Sequence, residues 1–247
     1  LKIVQLIQKA QLRGAEIFAS QLSNHLNAEG HEVHMISMLR GDAILPFKGN
    51  LINLNRSASR RMMDIRGWRL LAIHIRNINP DVVQANAGDT LKFAVFSKLF
   101  FGWKTPIVFR NANKASDFID SVPKLVFNKF LVNRVSHVIS VSELCRKDFI
   151  KTYSFDARKT TTVPVGIEME ALGDLPPEDL RPFFTSGNTL VNVASFVPEK
   201  NHAGLLRIMK RLLENGADLK LLLIGDGKLK SGIQQQVLEM NLSEHVF

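Results

Sequence analysis

The chain has 247 residues, 45% of them hydrophobic and 22% charged, with a formal net charge of +9 at pH 7. This composition excludes a disordered polypeptide, and no uninterrupted apolar run approaches the roughly 20 residues that a bilayer-crossing helix needs. Its single cysteine, Cys145, excludes an internal disulfide and gives no metal-ligand spacing, which fits a reducing compartment.

The charge is unevenly spread. Residues 1–173 carry 24 Lys/Arg against 14 Asp/Glu, a balance of +10, and the remainder carries 8 against 9. A field of that sign attracts phosphate-bearing partners: nucleotides, anionic membranes or nucleic acid. No basic-aromatic nucleic-acid motif accompanies it, which speaks against nucleic acid. The stretch "FAVFSKLFFGW" is too short to span a membrane and carries Lys98. The start, "LKIVQLIQKAQLRGAE", has no small-residue cleavage site and reads as fold, not as a signal peptide. The chain begins with Leu, so a missing or trimmed N-terminus is expected.

In chain order, "KIVQLIQ" predicts a buried strand, followed by a helix over about Ala15–Glu29 in which Phe18, Leu22 and Leu26 recur every four residues. Gly30 stands where that helix stops. "EVHMISM" predicts the second strand and "INL" a short third. A long helix is predicted over about Ser59–Ile78, with Met62, Ile65, Trp68, Ala72 and Ile75 on one side and Arg56, Arg60, Arg61, Arg66, Arg69 and Arg76 making it basic. That basic surface is either a solvated outer face or a peripheral membrane contact.

"PDVVQAN", "TPIVFRN" and "SHVISVS" read as further strands, with helices near Thr90–Phe101 and Val122–Asn133 between them. After the last strand, Ser142 can cap a helix whose first turn holds Glu143, and Cys145 is a packed residue of that helix, not a nucleophile. Such alternation predicts an α/β fold, a parallel sheet with helices on both faces. The segment 171–188, "ALGDLPPEDLRPFFTSGN", lacks a period and reads as a linker between a domain over 1–170 and a second over 189–247. Beyond it come a strand "TLVNVAS", a helix Ala203–Glu214, a strand "LKLLLIG" and a helix near Lys228–Met240. The second unit is short for a freestanding domain, and "SEHVF" looks like the entry to another strand, so a longer parent protein is expected.

In open α/β sheets ligands collect at the carboxyl ends of the strands, so the loops there hold the candidates. Gly14, in "QLRGAE", either lets a ligand approach the backbone or merely shapes a tight turn. No G-x-G-x-x-G accompanies it, which weakens a dehydrogenase reading. "QANAGDT" and "FRNANKASDF" offer amides from Asn86, Asn111 and Asn113, which serve a site or make local turns, and Arg110 can clamp an anion. In the second unit, "PEKNHAGLL" sets Lys200 before a helix, and "IGDGK" sets Asp226 between two glycines; each is a ligand loop or an ordinary turn. The seven histidines show no metal spacing.

The ordered set "RGAE", "GHEV", "PDVVQAN", "TPIVFRNAN", "VISVSE", "VPVGIE", "VASFVPEKN" and "LLLIGDG" resembles a family 4 glycosyltransferase of the GT-B fold over nearly the whole chain. The resemblance implies two Rossmann-like domains facing a cleft, the second incomplete here. It implies retaining transfer of a sugar from a nucleotide diphosphate sugar, UDP- or GDP-linked, without a metal or other cofactor. The acceptor, a glycan or a lipid-linked molecule, would lie mainly on the N-terminal domain. The enzyme would then be cytoplasmic, with a peripheral position at the inner membrane face.

By position, Gly14 matches the second glycine of the family's Gly-Gly-Ala-Glu loop near the donor, and Lys200 matches the lysine of the "PEK" motif that neutralises the diphosphate. Gly166 sits at the hinge turn "VPVGIE". The donor set is then Arg13, Gly14, Ser195, Lys200 and Asp226. Asn86, Asn111 and Asn113 are the catalytic candidates, and Arg110 is the acceptor or anion candidate. The chain departs from the pattern at several positions. Arg13 replaces the first loop glycine, and Ser195 stands where an arginine is frequent. Gln84, Asn86 and the Asn111–Asn113 region replace histidines, and Val165 replaces the hinge asparagine. The family's two spaced glutamates, which bind ribose and donor sugar, would fall beyond Phe247, leaving this fragment inactive alone. A non-catalytic nucleotide- or phosphate-binding module is the alternative, and a basic membrane or nucleic-acid adaptor is a third.

Overall fold

The computed structural model describes residues 1–57, 59, 63–166, 178, 180–183 and 188–247. The chain divides into two compact units, Leu1–Met169 and Glu170–Phe247. The first is built on seven strands: β1 (Lys2–Lys9), β2 (Glu32–Leu39), β3 (Leu51–Arg56), β4 (Val82–Ala85), β5 (Ile107–Asn111), β6 (His137–Ser140) and β7 (Thr160–Thr162). They lie in the order β3-β2-β1-β4-β5-β6-β7, every pair parallel. The order reverses between β1 and β4, where Gln5 faces Gln84, and a crevice forms outside the carboxyl ends at such a switch.

Five helices cover the sheet: α1 (Gly14–Ala28), α2 (Ile65–Ile78), α3 (Gly88–Phe101), α4 (Val122–Val132) and α5 (Glu143–Tyr153). The larger core joins Leu6, Val83 and Phe109 of the sheet to Trp68, Leu71 and Phe149 of the helices. A smaller core of Ile7, Ala10, Ala19, Met35 and Leu45 lies under α1.

Two helices differ from the sequence reading. In α1 the fully buried residues are Glu16, Ala19, Ser20 and Ser23, while Phe18, Leu22 and Leu26 are half-buried. Small residues let this helix lie close on the sheet, and the serine hydroxyls donate back to the carbonyls of Glu16 (2.8 Å) and Ala19 (2.6 Å). Helix α2 starts at Ile65, not near Ser59, because Asp64 caps it by accepting the Gly67 N–H at 3.0 Å. Ile65, expected on the apolar side, is therefore 55% exposed in the first turn, whereas Trp68, Ala72 and Ile75 are buried. Arg56 ends β3 and does not belong to the helix; Arg60, Arg61 and Met62 lie outside the described residues.

Strand β7, "TTT", was not foreseen, since three threonines make no apolar run. Glu143 secures α5 to it: the carboxylate accepts a bidentate pair from Arg146 at 2.8 Å and the Thr162 hydroxyl at 2.9 Å. The Arg146 hydrogen bonds are the main cause that lowers the Glu143 pKa to about 2. Ser142 accepts the Cys145 N–H at 3.2 Å and Cys145 is buried in α5.

The second unit pairs β8 (Asn188–Val193) with β9 (Leu219–Ile224) in parallel, flanked by α6 (His202–Glu214) and α7 (Lys230–Glu239). The strand starts at Asn188, one residue inside the expected linker. Of that linker, residues 171–177, 179 and 184–187 lie outside the described residues. Leu206, Met209, Leu221 and Ile233 form the core here. The closing residues run along the other side of β9, with Leu221 N–H donating to His245 and Phe247 N–H to Leu221, at 2.7 and 2.9 Å. The hinge stretch is described only to Gly166, with Val163, Val165 and Gly166 exposed and outside any helix or strand; residues 167 and 168 lie outside the description. Among the described residues no helix is long and apolar enough to cross a membrane.

Candidate functional site

At the carboxyl end of β1, Arg13 is the N-cap of α1 with no side-chain cap bond, and Gly14 is the first helical residue. Both are exposed. A Cβ built on Gly14 would meet nothing within 4 Å, and its backbone does not adopt the left-handed conformation that favours glycine. Neither crowding within the chain nor the turn itself therefore demands glycine at this position.

Next to it, Gln8, Lys9, Gln11, Arg13, Arg40 and Arg56 line much of an open groove of about 550 Å³. Lys9, Leu39 and Arg56 stand in register across three strands. Among the described residues no carboxylate lines the groove, and the counter-charges lie around it. Asp64 holds Arg56 bidentately at 2.8 and 2.9 Å, and exposed Asp42 lies 3.8 Å from Arg40. Buried Glu16 accepts from Gln11 at 3.0 Å. Burial raises the Glu16 pKa, an effect reduced by that hydrogen bond and by the charges of Arg13 and Lys9. The sequence shows Arg56 only as part of a basic row and gives no signal for Lys9, because only the register of β1, β2 and β3 brings the two together.

Asn86 follows β4 and is buried. Its amide donates to the Gln5 side chain (2.8 Å) and the Leu6 carbonyl (3.3 Å) and accepts from Gln84 (3.0 Å). Both ends of that amide are engaged by protein, which fixes its orientation at the strand end. Asn111 is buried as well, donating to Ser140 and the Cys145 carbonyl at 3.3 and 3.4 Å. Asn113 is the exposed member of the three.

Arg110 differs from all of these. It is only 6% exposed in β5, and its guanidinium lies 4.0 Å from the centre of the Phe18 ring. Its Nη1 has no hydrogen-bond partner, and burial lowers its pKa. A buried, unpaired cation costs several kcal/mol, more than the ~2 kcal/mol that a desolvated ring contact returns. Arg110→Met is therefore expected to stabilise the first unit by about 1–2 kcal/mol. Both tryptophans, Trp68 and Trp103, are buried in this unit, so their fluorescence during urea unfolding reads it separately. A destabilised variant would show that the fold itself needs the cation.

In the second unit two strand-end loops are laced together. Ala194 N–H donates to Ile224, Phe196 N–H to Asp226 and Leu229 N–H to Phe196, at 3.0, 2.9 and 3.1 Å. Gly225 and Gly227 have φ of 150° and 156°, and a Cβ on either would strike the backbone of Ala194 or Phe196. The two glycines of "GDG" thus serve this close approach, which holds the exposed Ser195 and Asp226 in place. Lys200 ends a single 3-10 turn, Pro198–Lys200, and is exposed. No hydrogen bond or ion pair engages its ammonium among the described residues. Asn201, at φ 49°, caps α6 by accepting the Gly204 N–H at 3.2 Å. His202 stacks on Phe196, ring centres 4.3 Å apart, and both its ring nitrogens are buried without partners. Among the described residues no three His, Cys, Asp or Glu side chains group so as to hold a metal ion.

Two α/β units, each presenting polar and cationic loops at its strand ends, define the GT-B class of glycosyltransferase fold. Residues 12–171 match Glycosyltransferase Family 4 and residues 181–247 match Glycosyl transferases group 1; the chain belongs to this family of glycosyltransferases. An uncharacterized glycosyltransferase of Methanocaldococcus jannaschii is 25% identical over 198 residues, 74% of this chain and 48% of that protein. A Campylobacter jejuni N-acetylgalactosamine-N,N'-diacetylbacillosaminyl-diphospho-undecaprenol 4-alpha-N-acetylgalactosaminyltransferase is 27% identical over 59% of this chain and 40% of its own length. The chain thus spans about half the length of the curated relatives it matches. Among solved structures, Anabaena HepE in complex with UDP and glucose superimposes with a TM-score of 0.75 at 16% identity, over 100% of this chain and 68% of that one. WaaG, a glycosyltransferase involved in lipopolysaccharide biosynthesis, gives 0.68 at 14%, over 99% and 69%. At these identities the structures share the fold.

Proposed function

We propose that the full-length protein is a retaining, metal-independent hexosyltransferase that moves a sugar from a UDP- or GDP-sugar to a lipid-linked or glycan acceptor. The 247 residues alone would be inactive. The observation that carries this reading is the unengaged ammonium of Lys200 at the carboxyl end of β8, beside the N-terminus of α6. A departing nucleoside diphosphate needs fixed positive charge, and an unpaired lysine with free helical N–H groups supplies it without a metal. UDP in the solved relative favours uridine over guanine. The diphospho-undecaprenol in the name of the Campylobacter relative favours a lipid-linked acceptor.

In the first unit, Arg13 and Gly14 would border the donor, and Arg110 would meet an anionic group of the acceptor. Asn113 would be the exposed amide among the catalytic candidates. The work would take place at the inner face of the membrane. Ser195, in place of an arginine, and Asn86, in place of a histidine, favour a second reading, a nucleotide- or phosphate-binding module without turnover.

Thermal-shift titration of the full-length protein with UDP and with GDP, followed by sugar release and transfer from the matching donors with and without a chelator, separates the two. Stabilisation with chelator-resistant transfer is expected. Stabilisation without any release would favour the module.

A further inference from the structure

Helices α2, α3 and α4 carry an aromatic cluster that reaches the surface. Trp68 of α2 stacks on Phe96 and Phe100 of α3, with ring centres 5.0 and 5.3 Å apart. Phe96 in turn meets Phe127 and Phe130 of α4 at 6.2 and 6.4 Å. Trp68 is buried, yet Phe100 is 64% exposed, and beside these rings Leu99, Val122 and Val126 are open to solvent. In α4, "VPKLVFNKFLV", the only fully buried residues are Leu131 and Val132. A helix so apolar and so exposed marks a surface that something covers.

The charges around it indicate what does. Of the eight Lys/Arg in residues 90–142, Arg110 is buried, and Lys92 and Lys98 are engaged by Asp89 and by the Lys104 and Thr105 carbonyls. That leaves Lys104, Lys114, Lys124, Lys129 and Arg134 exposed against two acids, Asp117 and Asp120. Asp120 is taken by Lys124 at 2.8 Å. The Arg134 guanidinium lies 3.5 Å from the centre of the Phe130 ring, and Lys104 and Lys129 are exposed nearby in the chain. A second copy of this chain would bring cations against cations, whereas anionic lipid phosphates complement them. Helices of 14 and 11 residues cannot cross a bilayer, but they can lie in its plane with rings at the headgroup boundary.

We propose that the α3–α4 face docks on an anionic membrane, its phenylalanines and valines entering the interface while Lys104, Lys124, Lys129 and Arg134 meet lipid phosphates. The contact thereby moves from the arginine row of α2, named in the sequence, to its neighbours. The proposal gives the lipid-linked acceptor of the proposed function a surface of approach, but binding to lipid requires no donor and no turnover.

The test is co-sedimentation of the 247-residue chain with vesicles of phosphatidylcholine alone and of phosphatidylcholine mixed equally with phosphatidylglycerol, at low and high salt. Binding to the mixed vesicles only, weakened by salt, is expected. Phe100→Ser with Val126→Ser, and separately Lys124→Gln with Lys129→Gln, should each lower the affinity at least about tenfold with unchanged circular dichroism. Equal binding to both vesicles overturns the charge argument. Binding that survives Phe100→Ser with Val126→Ser shows only a diffuse field effect and overturns the docking face. Absence of vesicle binding, with a concentration-dependent dimer that the same double variant abolishes, makes the face a self-interface. Any of these failures leaves the UDP and transfer measurements untouched.

Discussion

Asp64→Ala is expected to cost the first unit about 3–4 kcal/mol, more than any other single polar change in it. Asp64 is 5% exposed and holds Arg56 through two hydrogen bonds of 2.8 and 2.9 Å. Deleting one partner of such a pair strands the other charge, at about 3–5 kcal/mol for a fully buried pair. The Arg56 side chain keeps 18% of its exposure and recovers some water, which places the effect at the lower end. The same carboxylate caps α2, and losing a cap adds about 1 kcal/mol.

Gly67 belongs to this arrangement, since a Cβ there would lie 2.5 Å from the Asp64 carboxylate. Asp64→Asn keeps an acceptor for Gly67 and loses the charge, so about half the cost should remain. Urea unfolding read by tryptophan fluorescence measures both variants. A loss under about 1 kcal/mol for Asp64→Ala would place the pair with ordinary surface ion pairs.

Asp64 also shows where the sequence is legible and where it is not. The periodicity of Trp68, Ala72 and Ile75 places the buried face of α2 correctly, because helical spacing is a local property. The start of the helix was set too early, although an Asp ahead of an apolar-periodic run is a readable stop on that error. Strand–helix alternation gave the parallel α/β fold, and the motif order identified the family. The hidden parts are those that depend on other segments. Lys9 and Arg56 share a row only because β1, β2 and β3 pair in that register. The asparagines of the strand ends look alike in sequence, yet Gln5, the fourth residue of β1, accepts from the Asn86 amide and holds it in place. Asn113, two residues beyond β5, is exposed. The glycines of "GDG" carry a packing role that appears only when Ala194 and Phe196 stand against them.

Arg110 and Lys200 are two cations for which the described residues supply no counter-charge, and they differ in kind. Arg110 is buried and costs stability, so its presence needs a reason outside the resting fold. Lys200 is exposed and costs almost nothing, so only its effect on chemistry can reveal a purpose.

For Lys200→Ala in the full-length protein, donor turnover is expected to fall about hundredfold or more, the scale of losing one charge-stabilising donor at a reacting centre. Folding should be unaffected. The cap of α6 belongs to Asn201, and the contacts that hold the helix belong to Phe196, Leu206 and Met209. Lys200→Arg keeps the charge on a longer, planar group and should recover part of the rate. The size of the effect follows from the missing companion: Ser195 stands at the position where a second cation is frequent, and a serine there brings no charge to the diphosphate. Kinetic comparison of the three proteins, with thermal melts as the control for folding, reads this directly. Wild-type kinetics in the alanine variant would remove the diphosphate role from Lys200 and with it the main physical support for metal-free transfer.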